Sequence, residues 1–272
     1  MKITEEYLNK LNESGAAMIA GLTILKLIFA VLIRLVFKSQ TKKREHELEN
    51  KLYMVTKKRY NVFSLKDDAP QAYVIEWFKN NIYITTGLMK IMNEREIMAI
   101  MIHETSHVIN RDVVKKVSVE FGGSVFLTAL FASLESLAFK SKNPVIAIGS
   151  LSVSFLAASI LMTLMMTQST KWYKRQETAA DVSVVKYGYA KDLISALNKI
   201  EKYKKKQYKD FAKKNPDVDL EKLDKGLKQL EDHPEHKDRV KRLLEEEKLY
   251  VAMVNGNLVE VKNIIKSYLI VA

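Results

Sequence analysis

The chain of 272 residues is long enough for one or two domains, and it combines a formal net charge of +12 with 47% hydrophobic residues. It contains no cysteine, which excludes a disulfide scaffold, a cysteine-ligated metal and thiol catalysis. Long uncharged apolar runs alternate with stretches rich in Lys and Glu, a pattern typical of a membrane protein with aqueous loops and uncommon in a soluble globule.

The first apolar run covers residues 15–37, after an N-terminal tail of residues 1–14, and it is long enough to span a bilayer. Lys26 at its centre costs roughly 3 kcal/mol of insertion free energy, which the surrounding Leu, Ile and Phe side chains can offset. A helix that lies along the membrane surface is the alternative. Residues 38–60 then carry eight Lys or Arg against three acidic residues, which predicts a cytoplasmic flank. We therefore assign the positive charge to membrane topology and anionic lipid, and we expect no nucleic-acid partner.

Residues 38–121 are expected to form the first part of a catalytic domain. Within them, residues 73–75 and 82–85 are predicted to be two short strands, joined by a turn at residues 79–81. Most of the remaining pattern is helical. The expected fold is therefore mainly α with a small antiparallel β-sheet.

The helix that ends this part carries the strongest chemical signal. Asn93 with Glu96 three residues later predicts its start through a capping box. Residues 103–107 read HETSH, and His103 and His107, four apart, lie on one helical face as two ligands of a zinc ion would. Glu104 stands beside them, in position to activate a water molecule on the metal. A pair of surface histidines is the alternative, but the helix is apolar nearly all round, and buried imidazoles need a partner.

Two further apolar runs follow this helix. Residues 145–167 are 23 positions without a charge, the strongest transmembrane signal in the chain. Residues 122–139 are shorter but long enough to cross the hydrocarbon, and residues 140–144 form a loop between the two runs. We predict a transmembrane helical hairpin over residues 122–167, with a buried soluble helix pair as the alternative. The hairpin would return the chain to the side from which it left.

The second part of the catalytic domain is expected over residues 168–248. Glu177 and Asp181 are four apart on one helical face, and the small Ala179 and Ala180 between them allow close packing on the histidine helix. We assign Glu177 as the third ligand of one Zn²⁺ per chain. Asp181 is expected to accept the free N–H of a ligand imidazole. Alternatively, Glu177 and Asp181 belong to an acidic helix face that is exposed to solvent.

These segments together resemble a known family. The chain resembles the HtpX-type membrane zinc endopeptidases in three consecutive segments. These are HETSHVINRD (residues 103–112), an apolar hairpin, and RQETAADVSVVKYGYAKDLISALNKI (residues 175–200). The HtpX-type endopeptidases belong to the gluzincins, which also contain the CAAX prenyl endopeptidases. The resemblance extends over residues 65–245 and includes DHPEHKDRV (residues 232–240). Gln71 is a departure, because the family usually has Asn there.

The resemblance implies a gluzincin-like zinc peptidase core with membrane-spanning helices. It also implies that an edge strand beside the active-site helix pairs with the substrate backbone, here Tyr73, Val74 and Ile75. Arg239 is the preferred residue for stabilising the oxyanion, although a structural salt bridge explains it equally well. His233 and Tyr187 are further candidates for contacts to the oxyanion or substrate.

The predicted function is a membrane-bound zinc endopeptidase that hydrolyses internal peptide bonds of misfolded or damaged membrane proteins. Its expected location is the cell membrane, with several crossings and the catalytic domain on the cytoplasmic side; its partners would be polypeptides and the lipid bilayer. Two alternatives stay open: a processing protease for one prenylated or precursor substrate, and a catalytically silent membrane adaptor. The C-terminal extension, residues 249–272, is expected to be helical.

Overall fold

The computed structural model describes residues 42–74, 80–116, 118–119, 122–123, 125–126, 144–216 and 234–271. The chain forms two compact units. One comprises residues 1–40 and 114–171, and the other comprises residues 41–113 and 172–272. The described residues of the apolar run 145–167 belong to the first unit, and every candidate site residue that the structure describes belongs to the second.

The second unit contains a four-stranded sheet: β1 (Lys42–Arg44), β2 (Asn61–Leu65), β3 (Ala72–Val74) and β4 (Asn81–Thr85). The strand order is β1-β2-β4-β3, so β3 lies at one edge. β3 and β4 pair antiparallel, as predicted, and so do β1 and β2. β2 and β4, however, are parallel, with Asn61 opposite Asn81. The prediction of a wholly antiparallel sheet is wrong, because the chain passes through β3 at the edge before β4 returns beside β2 in the same direction.

Most described residues outside the sheet are helical, as predicted. The helices are α1 (His46–Thr56), α2 (Thr86–Ile91), α3 (Glu94–Asn110), α4 (Pro144–Val185), α5 (Ala190–Lys214), α6 (His236–Val254) and α7 (Leu258–Val271). The core of the second unit forms around α3. Met101 and Ile102 are fully buried, as are Val62 and Ile82 of the sheet. Leu193 of α5 is almost fully buried beside them. Burial of such side chains stabilises each by about 1.5–3 kcal/mol relative to exposure.

The start of α3 confirms the predicted capping box. The side chain of Asn93 accepts a hydrogen bond from the backbone N–H of Glu96 (2.9 Å). The Glu96 carboxylate in turn accepts one from the backbone N–H of Asn93 (2.7 Å). Two of the N–H groups that a helix start leaves unpaired are therefore satisfied reciprocally.

The first turn of α3 is also fastened to α5. Glu96 is 1% exposed, and its carboxylate accepts hydrogen bonds from the Ser195 hydroxyl (2.6 Å) and the Lys199 ammonium (2.7 Å). Burial alone raises the pKa of Glu96, but these donors outweigh it and hold that pKa below its usual value. Beside this network, Arg95 forms a bidentate pair with Asp192 at 3.0 and 2.8 Å. The relative placement of α3 and α5 is thus set by two charge-assisted links.

The predicted membrane spans have a mixed outcome. Across the described ranges, no helix combines the length and apolar character needed to cross a membrane. The span predicted over residues 145–167 is therefore not confirmed. Residues 15–37 and most of residues 122–139 lie outside the described part of the chain. The helix that covers residues 145–167 does not end there, since α4 continues to Val185 and carries Glu177 and Asp181.

Candidate metal centre

The two histidines of HETSH face each other on the last two turns of α3. Both rings are largely buried, with side-chain exposures of 8% for His103 and 13% for His107. Their ring centroids lie 4.9 Å apart, and the two Nε2 atoms are separated by 3.2 Å. Positions four apart on a helix produce this approach without help from the rest of the fold.

Glu177 of α4 completes a group of three potential ligands. Its Oε2 lies 3.5 Å from Nε2 of His103, and its Oε1 lies 3.4 Å from Nε2 of His107. One ligand atom from each of the three residues falls within 4.8 Å of the other two. Ala180 on the same helix is fully buried, so its small side chain permits close packing, whereas Ala179 is exposed. The structure therefore brings His103, His107 and Glu177 together.

The outer nitrogens of both rings face carboxylates. Nδ1 of His103 lies 3.0 Å from Oδ1 of Asp181, and Nδ1 of His107 lies 2.9 Å from Oδ2 of Asp112. An ionised carboxylate only accepts hydrogen bonds, so each of these carboxylates favours the tautomer in which Nδ1 carries the proton. With Nε2 of both rings deprotonated, as metal binding requires, the two Nε2 lone pairs would converge beside the Glu177 carboxylate.

A zinc ion fits this donor set. Lone pairs and a carboxylate that converge on one buried point repel unless a cation lies between them. Tetrahedral zinc with bonds of 2.0–2.1 Å requires ligand atoms about 3.3 Å apart. The observed separations of 3.2, 3.4 and 3.5 Å agree with that edge length. Two imidazoles and one carboxylate, with carboxylates holding the outer nitrogens, are typical of a catalytic zinc site.

The electrostatics of the cluster favour positive charge at the same point. Burial by itself lowers the pKa of His103, but the Asp181 and Glu177 carboxylates outweigh it and raise that pKa to about 10. Asp181 is almost fully buried, and its pKa is lowered because His103 and Arg239 outweigh the effect of burial. The site therefore has the character of a cation-binding pocket.

Arg239 of α6 forms an ion pair with Asp181. Its Nε and Nη2 donate to the two carboxylate oxygens of Asp181 at 2.8 and 2.7 Å. The pair is largely buried, with side-chain exposures of 12% for Arg239 and 3% for Asp181. The pKa of Arg239 is raised, since Asp181 outweighs the burial that would lower it. A continuous chain runs from Arg239 through Asp181 to the His103 ring, so the structural salt bridge considered for Arg239 is present.

Asp112 and Gln176 were not predicted. α3 ends at Asn110, and the next residue, Arg111, has a left-handed backbone (φ 54°) that lets its N–H cap the carbonyls of His107 and Val108. This turn brings Asp112 back beside His107. The other oxygen of Asp112 accepts a hydrogen bond from Nε2 of Gln176 (2.8 Å), the residue before Glu177. One side chain therefore orients a histidine of α3 and joins it to α4. The only sequence signal was an acid five residues after the second histidine.

The role of Asp112 can be tested by exchange for asparagine. We expect Asp112→Asn to weaken zinc binding about tenfold or more, because the ligand imidazole of His107 loses its anionic partner. Competition with a fluorescent zinc chelator measures this affinity. Gln176→Ala is the matched control, because it removes only the neutral contact to Asp112 and should weaken binding less. An Asp112→Asn protein with unchanged zinc affinity would contradict the assigned role.

A cleft of about 400 Å³ opens in front of this centre. His103, Glu104 and Glu177 line its floor, and Arg239 also reaches it. Gln71, Ala72 and Tyr73, at the start of edge strand β3, form one side.

The remaining predicted contact residues lie elsewhere. Val74 is buried in the sheet at 8% exposure, and Ile75 and His233 fall outside the described residues. Tyr187, at the end of α4, is 38% exposed and is not one of the residues that line the cleft. His236, which the sequence did not single out, lines the cleft instead and lies 3.0 Å from the Asn198 side-chain oxygen.

Known proteins resemble this chain in sequence. Residues 15–247 match the model of Peptidase family M48. Two similar relatives are named Protease HtpX homolog. The protein of Methylibium petroleiphilum is 27% identical over 163 residues, covering 58% of this chain and 56% of its own length. That of Campylobacter concisus is 31% identical over 160 residues, covering 56% and 51%. The chain thus spans about half the length of these curated relatives.

A solved structure shares the fold. The crystal structure of S. mikatae Ste24p superposes with a TM-score of 0.51 at 17% identity, covering 83% of this chain and 56% of that one. At this identity the likeness concerns the fold alone.

Proposed function

The chain belongs to peptidase family M48, and on that premise we propose that it is a zinc-dependent metalloendopeptidase that hydrolyses internal peptide bonds. One observation carries the proposal. Two imidazole nitrogens and a carboxylate converge with tetrahedral spacing at the floor of an open cleft, and Glu104 lines the same floor.

His103, His107 and Glu177 would hold the zinc ion, with Asp181 and Asp112 fixing the two rings. Zinc, when bound, lowers the pKa of a water molecule to about 7 and polarises the substrate carbonyl. Glu104 takes the proton of the attacking water and passes it to the leaving amine nitrogen, so one carboxylate serves first as base and then as acid. The products are a free carboxylate and a free amine.

The walls of the cleft supply binding and charge stabilisation. The outer edge of β3 can pair with an extended peptide through backbone hydrogen bonds, which gives affinity with little sequence preference. Arg239 has five N–H donors, of which Asp181 takes two, and its place on the cleft suits it to stabilise charge that develops on the carbonyl oxygen.

Metal removal tests the proposed chemistry. The detergent-purified chain should contain one zinc ion and cleave casein. Treatment with 1,10-phenanthroline should abolish both properties, and added zinc should restore them. His103→Ala should hold no zinc and cleave nothing, because one of three protein ligands is gone. A wild-type protein that binds zinc stoichiometrically and cleaves no protein or peptide would favour the silent adaptor.

For location and substrates we propose a membrane-attached enzyme, with the catalytic unit on the cytoplasmic side, that degrades misfolded or damaged membrane proteins. The uncharged run at residues 145–167 and the basic flank at residues 38–60 support attachment and orientation. Retention of the protein in the membrane pellet after alkaline carbonate extraction tests the attachment. Selective cleavage of unfolded over folded membrane proteins tests the substrate class.

A further inference from the structure

A second cavity adjoins the ion pair of Asp181 and Arg239, and the proposed hydrolysis makes no use of it. The cleft in front of the metal centre is lined by Ile200 of α5, among other residues. The second cavity has a volume of about 550 Å³, lies between α4 and α6, and is lined only by residues of the second unit. Arg239 lines both spaces, and Asp181 lines the second one. A ligand in this cavity would therefore lie beside the ion pair that holds the His103 ring.

Positive charge predominates in the lining of the cavity. Five basic side chains face three acidic ones: Lys174, Arg175, Arg239, Lys241 and Arg242 against Asp181, Asp238 and Glu245. Asp181 is paired with Arg239, and Glu245 lies 4.0 Å from Lys241. Two of the three acidic groups thus have a cation of their own. The remaining acid, Asp238, is outnumbered by three cations.

These three cations are Lys174, Arg175 and Arg242. Within the described part of the chain, their side chains form no hydrogen bond or ion pair. Lys174 is nevertheless half-buried, which deprives its ammonium group of part of its hydration. Like charges around one space repel each other, and an anion between them would relieve that repulsion. The cavity therefore has the electrostatic character of an anion site.

The residue types favour a phosphoryl group as the anion. Each guanidinium donates hydrogen bonds in a fixed fork that matches two phosphate oxygens, and a lysine adds a compact positive charge. A phosphate monoester offers three strong acceptor oxygens, so it can engage all three cations at once. We propose that the cavity between α4 and α6 binds a phosphoryl group through Lys174, Arg175 and Arg242. This binding requires neither zinc nor peptide hydrolysis.

The sequence around α4 suggests where the phosphoryl group comes from. Lys174 and Arg175 follow the uncharged run at residues 145–167 by seven and eight positions, and Trp172 stands just before them. Tryptophan together with basic residues at the end of an apolar run is typical of a segment at the level of lipid headgroups. An anionic phospholipid is therefore one source of the phosphoryl group, and phosphate in solution is the other.

Thermal unfolding tests the site, because a ligand that binds only the folded protein raises its Tm. The full-length zinc-loaded protein, in neutral detergent at constant ionic strength, is titrated with inorganic phosphate, dihexanoylphosphatidic acid or dihexanoylphosphatidylcholine. The phosphatidic acid should raise the Tm with saturation, and the choline lipid, which has no net charge, should leave it unchanged. A response to the phosphatidic acid alone identifies the lipid as the source, and an equal response to inorganic phosphate identifies phosphate in solution.

Variants separate the cavity from the zinc ion, which also binds phosphate. Arg242→Glu and Lys174→Glu should each weaken binding of the phosphatidic acid at least about tenfold, because a charge-assisted hydrogen bond becomes a repulsion. Arg242→Lys should retain most of the affinity. Lys248→Glu is the matched control, since it makes an equally large charge change at an exposed position of α6 that does not line the cavity.

Three results would overturn the site. They are equal weakening by Arg242→Glu and Lys248→Glu, which would assign the binding to overall charge; a Tm that no phosphoryl ligand changes; and a Tm that rises only with a glutamate peptide. Each of these results leaves the proposed peptidase intact, because casein cleavage by the wild-type protein is measured separately. Conversely, saturable binding by a protein that cleaves no peptide supports the site and contradicts only the peptidase.

Discussion

Exchange of Glu104 for glutamine is expected to lower the rate of peptide hydrolysis about 10²–10⁴-fold while the protein keeps its zinc. Glutamine has nearly the same shape, but it cannot accept the proton of the attacking water or return one to the leaving amine. The three residues proposed to bind the metal are His103, His107 and Glu177, so the ligand set is unchanged. The measurements are casein cleavage and zinc content of the same sample.

The control for this variant is Glu94→Gln. Glu94 lies in the first turn of the same helix, is exposed, and is remote from the cleft, so the same chemical change there should leave the rate at the wild-type level. A Glu104→Gln protein with more than a tenth of wild-type activity would show that another group moves the proton. Loss of zinc from this variant would instead mean that Glu104 helps to hold the metal.

The second large effect is expected at Asp181, whose carboxylate contacts both His103 and Arg239. Asp181→Leu leaves the buried guanidinium of Arg239 without its anion, and breaking such a pair costs about 3–5 kcal/mol of unfolding free energy. The same change removes the carboxylate beside Nδ1 of His103, so zinc affinity should fall about 10–100-fold. Urea unfolding and chelator competition measure the two effects separately.

A double variant distinguishes the two roles. In Asp181→Leu/Arg239→Met, both charges are replaced by apolar groups, and the free energy of unfolding should recover most of its loss. Zinc affinity should stay low, because His103 still lacks its partner. If affinity recovered together with stability, the Asp181 carboxylate would act on the metal centre only through the general integrity of the fold.

Features that depend on short sequence separations could be predicted from the sequence. The capping box at Asn93 and Glu96 and the shared face of His103 and His107 follow from helix geometry alone, over three and four residues. The antiparallel pairing of β3 with β4 is similarly local, since the two strands lie close together in the sequence. These elements need no knowledge of how distant segments pack.

Features that depend on distant segments were missed or incomplete. The parallel pairing of β2 with β4 requires residues 61–65 to be recognised as a strand, and their short run does not alternate clearly between apolar and polar residues. Asp112 reaches His107 only because Arg111 adopts a left-handed backbone conformation, which favours glycine and which nothing in an arginine predicts. The bond between Arg239 and Asp181 joins residues 58 positions apart.

The two links that join the first turn of α3 to α5 have a consequence for substrate capture. Through Glu96 and Arg95 they hold the helix that carries Ile200 at a set distance from the helix that carries His103. Both links are formed without a bound peptide, so association would require little further ordering of that side of the cleft. Almost all of the conformational entropy lost on binding would then be lost by the substrate. This favours polypeptide segments that are already extended.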